Sequence, residues 1–415
     1  MSVLRITSRI LLGIVFVFSG FVKVFDPLGS AYKFVDYFVA FRLEFLEPVA
    51  FPLAVFLIVT EFIIGISLLT RFKIEMGTWG VMIFMSVFTP LTLVLAIFNP
   101  VEDCGCFGDA IVLTNWQTFY KNLVLMVFVV FVFISRKKYR IVYSARVEIS
   151  ILAVILFASI ALSMYCFYHL PFIDFRPYNV GTYIPEKMEI PEGAPLDEYE
   201  TILIYEKDGI KKEFTLEDFP WQDTTWKFVD QKSYLIKEGY LPPIHDFDII
   251  DSEGYEVTDL VLSDENYSFL MVSYNLSDAN QKGLKAANEI ALYCNQYGYN
   301  FYCLTASISS EIEVLSNTMN LNFDFFFTDE TTLKTIIRSN PGLVLLKEGI
   351  VIGKWHYNDF PEVWEIQKNL LSSLLSNYRK RNEFSGSLNL FLAFFLALCL
   401  FEITRKSLNN RLRKK

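Results

Sequence analysis

Charge is scarce in this chain of 415 residues, of which 20% are charged and 53% are hydrophobic. Soluble globular proteins of ordinary composition do not reach this apolar share, and the mean hydropathy of +0.34 points the same way. The length allows two or three domains. The composition therefore excludes an ordinary soluble protein and predicts a lipid bilayer as a partner.

Signatures of nucleotide, metal and nucleic-acid binding are also lacking. The sequence contains neither GxGxxG nor GxxxxGK[ST], the glycine-rich patterns that hold phosphate groups. Its three histidines, His169, His245 and His356, are too dispersed to indicate a metal cluster, and we expect no metal site. No basic stripe with interleaved aromatic residues occurs in the polar part, which argues against a nucleic-acid partner.

Long apolar runs, in contrast, are abundant. A helix needs roughly 17 to 25 apolar residues to cross a bilayer. Six runs meet this requirement, at residues 8–25, 49–69, 77–98, 118–135, 149–170 and 387–404. The first run is not read as a signal peptide, because no small-x-small cleavage site follows it and further spans do.

The basic residues predict the orientation of these spans. Short basic connections stay in the cytoplasm, and four basic segments mark one side: residues 5–9, 71–73, 136–140 and 405–415. The connections at 26–48, 99–117 and 171–386 then lie outside. We therefore expect a multi-pass protein of the bacterial inner membrane with a large extracytoplasmic domain.

The second outer connection contains the closely spaced cysteines Cys104 and Cys106, separated by Gly105. Glycine supplies the backbone angles that a small disulfide ring requires, and a strained, exposed disulfide exchanges readily. Asp103 and Asp109 are expected to raise the pKa of a neighbouring thiol unless a helix N-terminus offsets them. A catalytic redox pair, a structural disulfide and half of a metal site all remain open on spacing alone.

The sequence around this pair resembles a known membrane family. The string DCGCFGD at residues 103–109, followed by residues 115–122 and preceded by residues 9–13, 19–23 and 26–27, is similar to the methylamine-utilisation protein MauE family, a relative of DoxX-like proteins. The resemblance implies a four-helix membrane domain over residues 1–140, with Cys104 and Cys106 as the redox pair. It also implies a role in maturing disulfide-rich exported proteins, with a quinone as a candidate cofactor, although the chain has no second membrane-side CxxC.

Polar residues inside the spans are further candidates. Glu61 lies near the middle of the second span, where a carboxyl group is costly and is a functional hypothesis by default. It either fixes helix packing or relays protons, protonated or paired with Lys23. Cys166 near the outer end of the fifth span is either a resolving thiol or a buried free cysteine, and Cys399 in the last span is expected to serve packing.

The polar part of the chain predicts an α/β domain. Residues 171–240 have a β-rich pattern with a strand at 201–205, and residues 241–380 alternate strands with helices. The predicted order is a strand-turn-strand at 244–254, a strand at 268–274, a helix at 278–297, a strand at 300–305, a helix at 310–319, a strand at 323–328, a helix at 331–338 and a hairpin at 343–355.

This order, with residues 339–341 placed just before a strand, resembles the thioredoxin fold and its peroxiredoxin-like and TlpA-like branch. Pro341 matches the cis-proline of that family. Residues 275–280 stand where its CxxC would lie and contain no cysteine, so the resemblance implies a redox-inactive domain that binds a client. Cys294 and Cys303 lie elsewhere and form either a disulfide or two packed thiols.

Taken together, these patterns favour a membrane-anchored factor for thiol-disulfide handling or maturation of exported proteins. The competing hypothesis is a non-catalytic scaffold or assembly subunit of an envelope complex, and a small-molecule carrier built around Glu61 is a third. Enzymatic activity as a thiol-disulfide oxidoreductase stays open. The predicted organisation is a membrane domain, a fifth span, a β-rich segment, a thioredoxin-like domain, a sixth span and a basic tail, at 1–140, 141–170, 171–240, 241–380, 387–404 and 405–415.

Overall fold

A computed structural model describes residues 2–366, except residues 102, 140–142, 217, 238 and 365. The predicted sixth span at 387–404, the basic tail at 405–415 and Cys399 lie outside the described residues. The last part of the predicted domain at 241–380 lies outside them as well.

Six α-helices lie among the described residues before residue 169, and each predicted span up to residue 170 overlaps one of them. They are α1 Ser2–Phe25, α2 Pro27–Ala40, α3 Ala50–Thr70, α4 Ile74–Phe98, α5 Asn115–Ile134 and α6 Ala145–Tyr168. All except α2 belong to the five helices that are long and apolar enough to cross a membrane. The prediction of a helical membrane bundle is confirmed. The sequence analysis treated α2 only as part of an outer connection.

Small residues allow α1 and α3 to pack closely. A Cβ atom placed on Gly65 would lie 2.7 Å from the backbone nitrogen of Val17, and one placed on Gly13 would lie 2.7 Å from Leu69 Cγ. Helices in a bilayer associate by such close backbone contact, since lipid offers no hydrophobic driving force between them. The interior beside this contact is filled by aliphatic side chains, among them Leu12 and Leu68.

Basic residues gather at the end of the bundle where α1 begins. The guanidinium of Arg9 donates to the carbonyl oxygen of Leu69 over 2.8 Å, and Arg5 lies over the ring of Tyr139. Lys73 Nζ lies 3.2 Å from Glu148 Oε2. Three of the four predicted basic segments therefore share one end of the bundle, and the fourth lies outside the described residues.

The part of the chain that follows α6, called the outer domain because it lies outside the helical bundle, contains two sheets. The first has the order β2-β1-β3 and is antiparallel. The second has the order β6-β5-β4-β7-β8, in which β4, β5 and β6 are parallel and β7 is antiparallel to both of its neighbours, β4 and β8. The elements are α7 Ile184–Met188, β1 Glu198–Lys207, β2 Ile210–Thr215, β3 Lys227–Lys237, α8 Thr258–Leu262, β4 Tyr267–Ser273, α9 Gln281–Tyr297, β5 Asn300–Thr305, α10 Ser309–Met319, β6 Asp324–Phe327, α11 Glu330–Ile336, β7 Gly342–Lys347 and β8 Ile350–His356.

This five-stranded sheet with its helices is thioredoxin-like, as the sequence predicted. Local chemistry explains the boundaries of α9: the Asn280 side chain accepts hydrogen bonds from the first-turn amides, and Gly298 ends the helix with a φ of 73°. The central strand β4 is buried from Ser268 to Ser273. Its continuous apolar run is typical of a strand that is covered on both faces.

One prediction about this domain is wrong. Residues 244–254 do not form a strand, a turn and a strand; Ile250 makes only isolated bridges with Glu256 and Phe327. Ile244, Phe247 and Ile249 are buried in the core. Their spacing of three and then two residues does not alternate, so this segment cannot bury one face as a regular strand would.

Candidate functional site

The Cys104-Gly105-Cys106 loop, called the redox loop after its predicted role, lies between α4 and α5, where α2 covers it. The two Sγ atoms are 3.1 Å apart, and both cysteines are free thiols. Gly105 has a φ of 64°, a conformation that glycine adopts without the penalty of a Cβ atom, and its amide donates to Asp103 Oδ1 over 2.6 Å. The loop thus holds two thiols within reach of each other.

Helix α2 contributes contacts to this loop that the sequence analysis missed. The Tyr37 hydroxyl donates to the carbonyl oxygen of Cys104 over 2.8 Å, and Lys33 Nζ lies 2.9 Å from Asp103 Oδ2. Lys33 and Tyr37 are four residues apart and so share one face of the helix. That spacing, after the helix-capping Asp26 and Pro27, is the signal that could have revealed this helix and its role.

Hydrogen bonding and charge favour a thiolate on Cys106. A hydrogen bond from the Cys104 thiol, together with the ammonium groups of Lys121 and Lys23, lowers the pKa of Cys106 to about 6 although burial opposes this. The same hydrogen bond and burial raise the pKa of Cys104 well above its usual value. Cys106 is half-buried and Cys104 is buried. The pair thus combines a more accessible nucleophile with a protected thiol.

The expectation that Asp103 and Asp109 would raise the pKa of the reactive thiol is wrong for Cys106. Each carboxylate has its own cation: Lys33 faces Asp103, and Arg338 lies 3.1 Å from Asp109. The thiolate instead faces the lysines that project from α1 and α5. Sequence proximity to acidic residues did not reveal these cationic partners, because they come from distant segments.

A hydrogen-bonded chain runs from the redox loop into the bundle. Ser19 Oγ donates to the carbonyl oxygen of Cys106 over 2.7 Å, and Lys23 Nζ donates to Ser19 Oγ over 2.9 Å. Lys23 Nζ also lies 2.6 Å from Glu61 Oε1. Lys23 and Glu61 are 5% and 2% exposed. The structure therefore pairs the two intramembrane residues that the sequence singled out and connects them to Cys106.

The remaining cysteines of the described chain lie apart from this pair. Cys166 packs with Val24, Phe25 and Ile58, whereas Cys104 and Cys106 belong to a different apolar cluster. Cys294 and Cys303 are free thiols in the core of the outer domain, and burial raises the pKa of Cys294 to about 12. The structure shows packed thiols at these two positions rather than a disulfide.

The outer domain has amide groups where thioredoxin-like enzymes carry their cysteines. The Asn340–Pro341 peptide bond is cis. Asn340 Nδ2 donates to the carbonyl oxygen of Asn275 over 2.7 Å, and the Ser273 hydroxyl donates to Asn340 Oδ1 over 2.7 Å. This edge of the domain is therefore closed by a hydrogen-bonded network without a thiol.

Arg338 connects this edge to the redox loop through ion pairs. Its guanidinium lies 2.8 Å from Asp26 Oδ2 and 3.1 Å from Asp109 Oδ2, and it stands over the ring of Tyr32. Although burial opposes ionisation, the guanidinium holds the pKa of Asp26 below its usual value. Sequence analysis missed Arg338, because nothing in the local pattern indicates partners more than 200 residues away.

A second buried ion cluster lies where the chain leaves α6 for the outer domain. Asp174 pairs with Arg176 over 2.6 Å and with Lys354 over 2.8 Å. Although burial opposes ionisation, these cations hold the pKa of Asp174 far below its usual value. The cluster joins the segment after α6 to β8 and so adds to the connection between the membrane bundle and the outer domain.

Comparisons with known proteins give matches to parts of this chain. Residues 1–135 match the family model described as methylamine utilisation protein MauE, and residues 199–238 match a domain of unknown function (DUF8463). None of the curated proteins matches the chain. Among solved structures, a solution structure described as a putative protein disulfide isomerase from Bacteroides thetaiotaomicron is 12% identical, covers 33% of this chain and 91% of its own, and has a TM-score of 0.26. The chain is a multi-pass membrane protein with a thioredoxin-like domain.

Proposed function

We propose that this protein exchanges thiols and disulfides with exported client proteins through Cys104 and Cys106. The observation that carries the proposal is the 3.1 Å separation of the two Sγ atoms beside lysines that favour a thiolate. The match of residues 1–135 to the MauE family model supports thiol-disulfide chemistry in this membrane part, because the resemblance to that family implies that Cys104 and Cys106 are a redox pair.

In the proposed reaction each cysteine takes a different step. The Cys106 thiolate attacks a client disulfide, which breaks the client S–S bond, forms a mixed disulfide and releases one client sulfur as a thiolate. The Cys104 thiol then gives up its proton and attacks Cys106 Sγ, which releases the second client sulfur and closes the Cys104–Cys106 bond. The client gains two electrons and the cysteine pair loses two, so this single exchange balances without a quinone. The reverse sequence oxidises a client dithiol.

The proposed location follows the charges of the connecting segments. Basic residues at one end of the bundle favour the cytoplasm for that end. The redox loop and the thioredoxin-like domain then share the extracytoplasmic side of a bacterial inner membrane, where disulfides persist. In this arrangement the outer domain positions or shields the redox loop for envelope proteins that undergo maturation.

Trapping the mixed disulfide tests this function. Full-length protein in detergent is reduced, freed of reductant and mixed with a dye-labelled peptide that contains one internal disulfide. We expect Cys104→Ser to retain the peptide covalently on Cys106, because the resolving thiol is absent, and Cys106→Ser to retain none. Cys166→Ser is the matched control and should exchange like the parent. A parent protein that leaves the peptide oxidised, or a peptide bound equally by Cys106→Ser, contradicts the proposal.

The second candidate function is a non-catalytic scaffold for an envelope complex. It is favoured by the amide network at Asn340 and by the contact of Arg338 with the redox loop, which occupy the edge of the outer domain. A scaffold predicts a Cys104–Cys106 disulfide that resists physiological reductants. Thiol alkylation with mass spectrometry, performed on the protein taken directly from membranes, separates this outcome from an exchanging pair.

A further inference from the structure

A buried ion pair connects the membrane bundle to Cys106. Lys23 of α1 donates to Glu61 of α3 and to Ser19, which in turn donates to the backbone of Cys106. Charged groups inside a bilayer are costly and occur mainly where they are paired and functional. Two of the three N–H groups of Lys23 are used in these contacts, and the charge of its ammonium group also favours a thiolate on Cys106.

The protonation states of Glu61 and Cys106 are linked through Lys23. While Cys106 is a thiol, the charges of Lys23 and Glu61 sum to zero. Loss of the Cys106 proton adds a second negative charge near Lys23, although Lys121 also favours the thiolate, and two like charges in a buried site oppose each other's ionisation. A proton on Glu61 removes this repulsion and leaves Lys23 as a cation for the sulfur.

The second carboxyl oxygen of Glu61 is the place for that proton. Glu61 Oε1 accepts from Lys23, whereas Oε2 is buried and has no hydrogen-bond partner within the described part of the chain. An ionised oxygen without a donor bears the full penalty of desolvation, and a protonated oxygen avoids most of it.

We propose that Glu61 stores a proton while Cys106 is a thiolate, and that Lys23 is the cation shared by the carboxyl group and the sulfur. The proposal rests on the proposed function for the chemistry of Cys106. It adds the source of the protons that exchange requires. Glu61 and Lys23 act here as positioning and proton-holding residues, since neither touches the client.

The proton balance follows directly. Before exchange the Cys104 thiol and the Glu61 carboxylic acid hold two protons, and Cys106 holds none. During exchange the client disulfide bond breaks and the Cys104–Cys106 bond forms, so the client gains two electrons. Its two sulfurs take the two protons, one from Cys104 and one from Glu61. Glu61 is left ionised beside Lys23, and the reverse reaction returns the proton to it.

Other titratable groups also face the redox pair and must stay constant in any test. The ones that approach Cys106 from neighbouring elements are Lys121 on α5, Tyr37 on α2, Lys23 on α1, Glu61 on α3 and Cys104 in the same loop. Changes confined to Lys23 and Glu61 therefore isolate the contribution of the ion pair.

Redox-difference infrared spectroscopy on the full-length protein in detergent tests the stored proton. We expect a protonated-carboxyl band in the reduced protein at pH 7 that disappears when excess disulfide peptide oxidises the pair. The band should be absent from Glu61→Gln and from Cys106→Ser. Glu148→Gln is the matched control, since Glu148 pairs with Lys73 over 3.2 Å at the opposite end of the bundle; it should keep the band. A band of equal size in Glu61→Gln, or in both redox states, overturns the proposal.

Alkylation of Cys106 at varied pH gives a second readout that needs no client. Lys23→Met should raise the pKa of Cys106 by about one pH unit, because a close opposite charge favours ionisation. Glu61→Gln should change that pKa little, because glutamine replaces a carboxylic acid that is already uncharged while Cys106 is a thiolate. The double variant should therefore alkylate like Lys23→Met. A clearly lowered pKa of Cys106 in Glu61→Gln indicates an ionised carboxylate beside the sulfur and contradicts the proposal.

The two proposals fail in different ways. Absence of peptide exchange, with the infrared band present and the pKa of Cys106 raised only by Lys23→Met, removes the exchange function and leaves the stored proton. Exchange that proceeds without the band, or with a lowered pKa of Cys106 in Glu61→Gln, removes the stored proton alone.

Discussion

Arg338 of the thioredoxin-like domain lies 3.1 Å from Asp109, a residue of the loop that carries the two closely spaced cysteines. Arg338 stands three positions before Pro341, and Asp109 stands three positions after Cys106. The edge of the outer domain that lacks its own thiols is thus placed beside the thiols of the membrane part. The two parts of the chain therefore meet at the candidate site, where one contains the two sulfur atoms and the other contributes the cation of Arg338.

Replacing Arg338 with alanine should loosen this connection. Removal of one partner of a buried ion pair costs about 3 to 5 kcal/mol. We expect less, about 2 kcal/mol, because the Asp109 side chain is 35% exposed and solvent screens part of the interaction. Thermal unfolding followed by tryptophan fluorescence, together with limited proteolysis between α6 and β1, measures the effect.

Lys237→Ala provides the matched control for that experiment. Its pair with Glu198 is also between distant residues, but both side chains are more than 60% exposed. The unfolding temperature should not change measurably for this variant. Equal behaviour of the two variants argues against a connection through Arg338.

Replacing Lys121 with glutamine should make Cys106 less reactive. The ammonium group helps to hold the pKa of Cys106 near 6, so its loss should raise that pKa and reduce the thiolate fraction near neutral pH. A rise of about one pH unit corresponds to an alkylation about fivefold slower at pH 6, because the thiolate fraction falls from about one half to about one tenth. Lys137→Gln, at the other end of the bundle, is the control and should alkylate at the parent rate. An unchanged rate in Lys121→Gln removes the electrostatic role of this residue.

Replacing Gly105 with alanine should have two effects. It should strain the backbone, and it should also displace the redox loop. A left-handed conformation costs a residue with a Cβ atom about 1 kcal/mol, and this Cβ would lie 3.0 Å from Lys33 Cγ, which pairs with Asp103. We expect slower formation of the Cys104–Cys106 disulfide with a diamide oxidant, measured by mass spectrometry.

The outer domain offers a control for the strain alone. Gly193 has a φ of 80° and open space around its missing Cβ atom. Gly193→Ala should therefore lose a similar amount of stability, and its Cys104–Cys106 pair should be oxidised by diamide at the parent rate. If both variants oxidise equally, the contact with Lys33 does not position the loop.

The sequence predicted most of the elements of this fold but few of the contacts that form the site. Long apolar runs locate α1 and α3 to α6, since a bilayer demands a minimum length, and alternating strands and helices locate the thioredoxin-like sheet. Helix α2 was missed because 14 residues are too short to register as a span. Arg338, Lys33 and Tyr37 were missed because their partners lie in distant segments, and single-sequence patterns report only local spacing. Lys23 and Glu61 were found because burying charge in lipid is rare enough to be informative.

Acid should destabilise the thioredoxin-like domain through His356 at the end of β8. His356 is 2% exposed, and its Nδ1 accepts a hydrogen bond from the Asn358 amide over 3.2 Å. Burial, with a smaller contribution from His169, lowers the pKa of His356 to about 4. The unfolded chain binds this proton near pH 6.5 and the folded chain only near pH 4. The contribution of His356 to the free energy of unfolding is therefore fully present above about pH 6.5. It is lost as the pH decreases toward 4, and the loss is at most about 3 kcal/mol.

His356→Asn should remove this part of the pH dependence, because asparagine keeps an acceptor for the Asn358 amide and does not titrate. Denaturant unfolding at pH 7 and pH 5 is the measurement, and the parent should lose more free energy of unfolding between the two conditions than the variant. His245→Asn is the control, since His245 is exposed and its replacement should leave the difference between the two pH values intact. A parent protein that is as stable at pH 5 as at pH 7 contradicts the argument, because a neutral imidazole in the core must then be protonated without penalty.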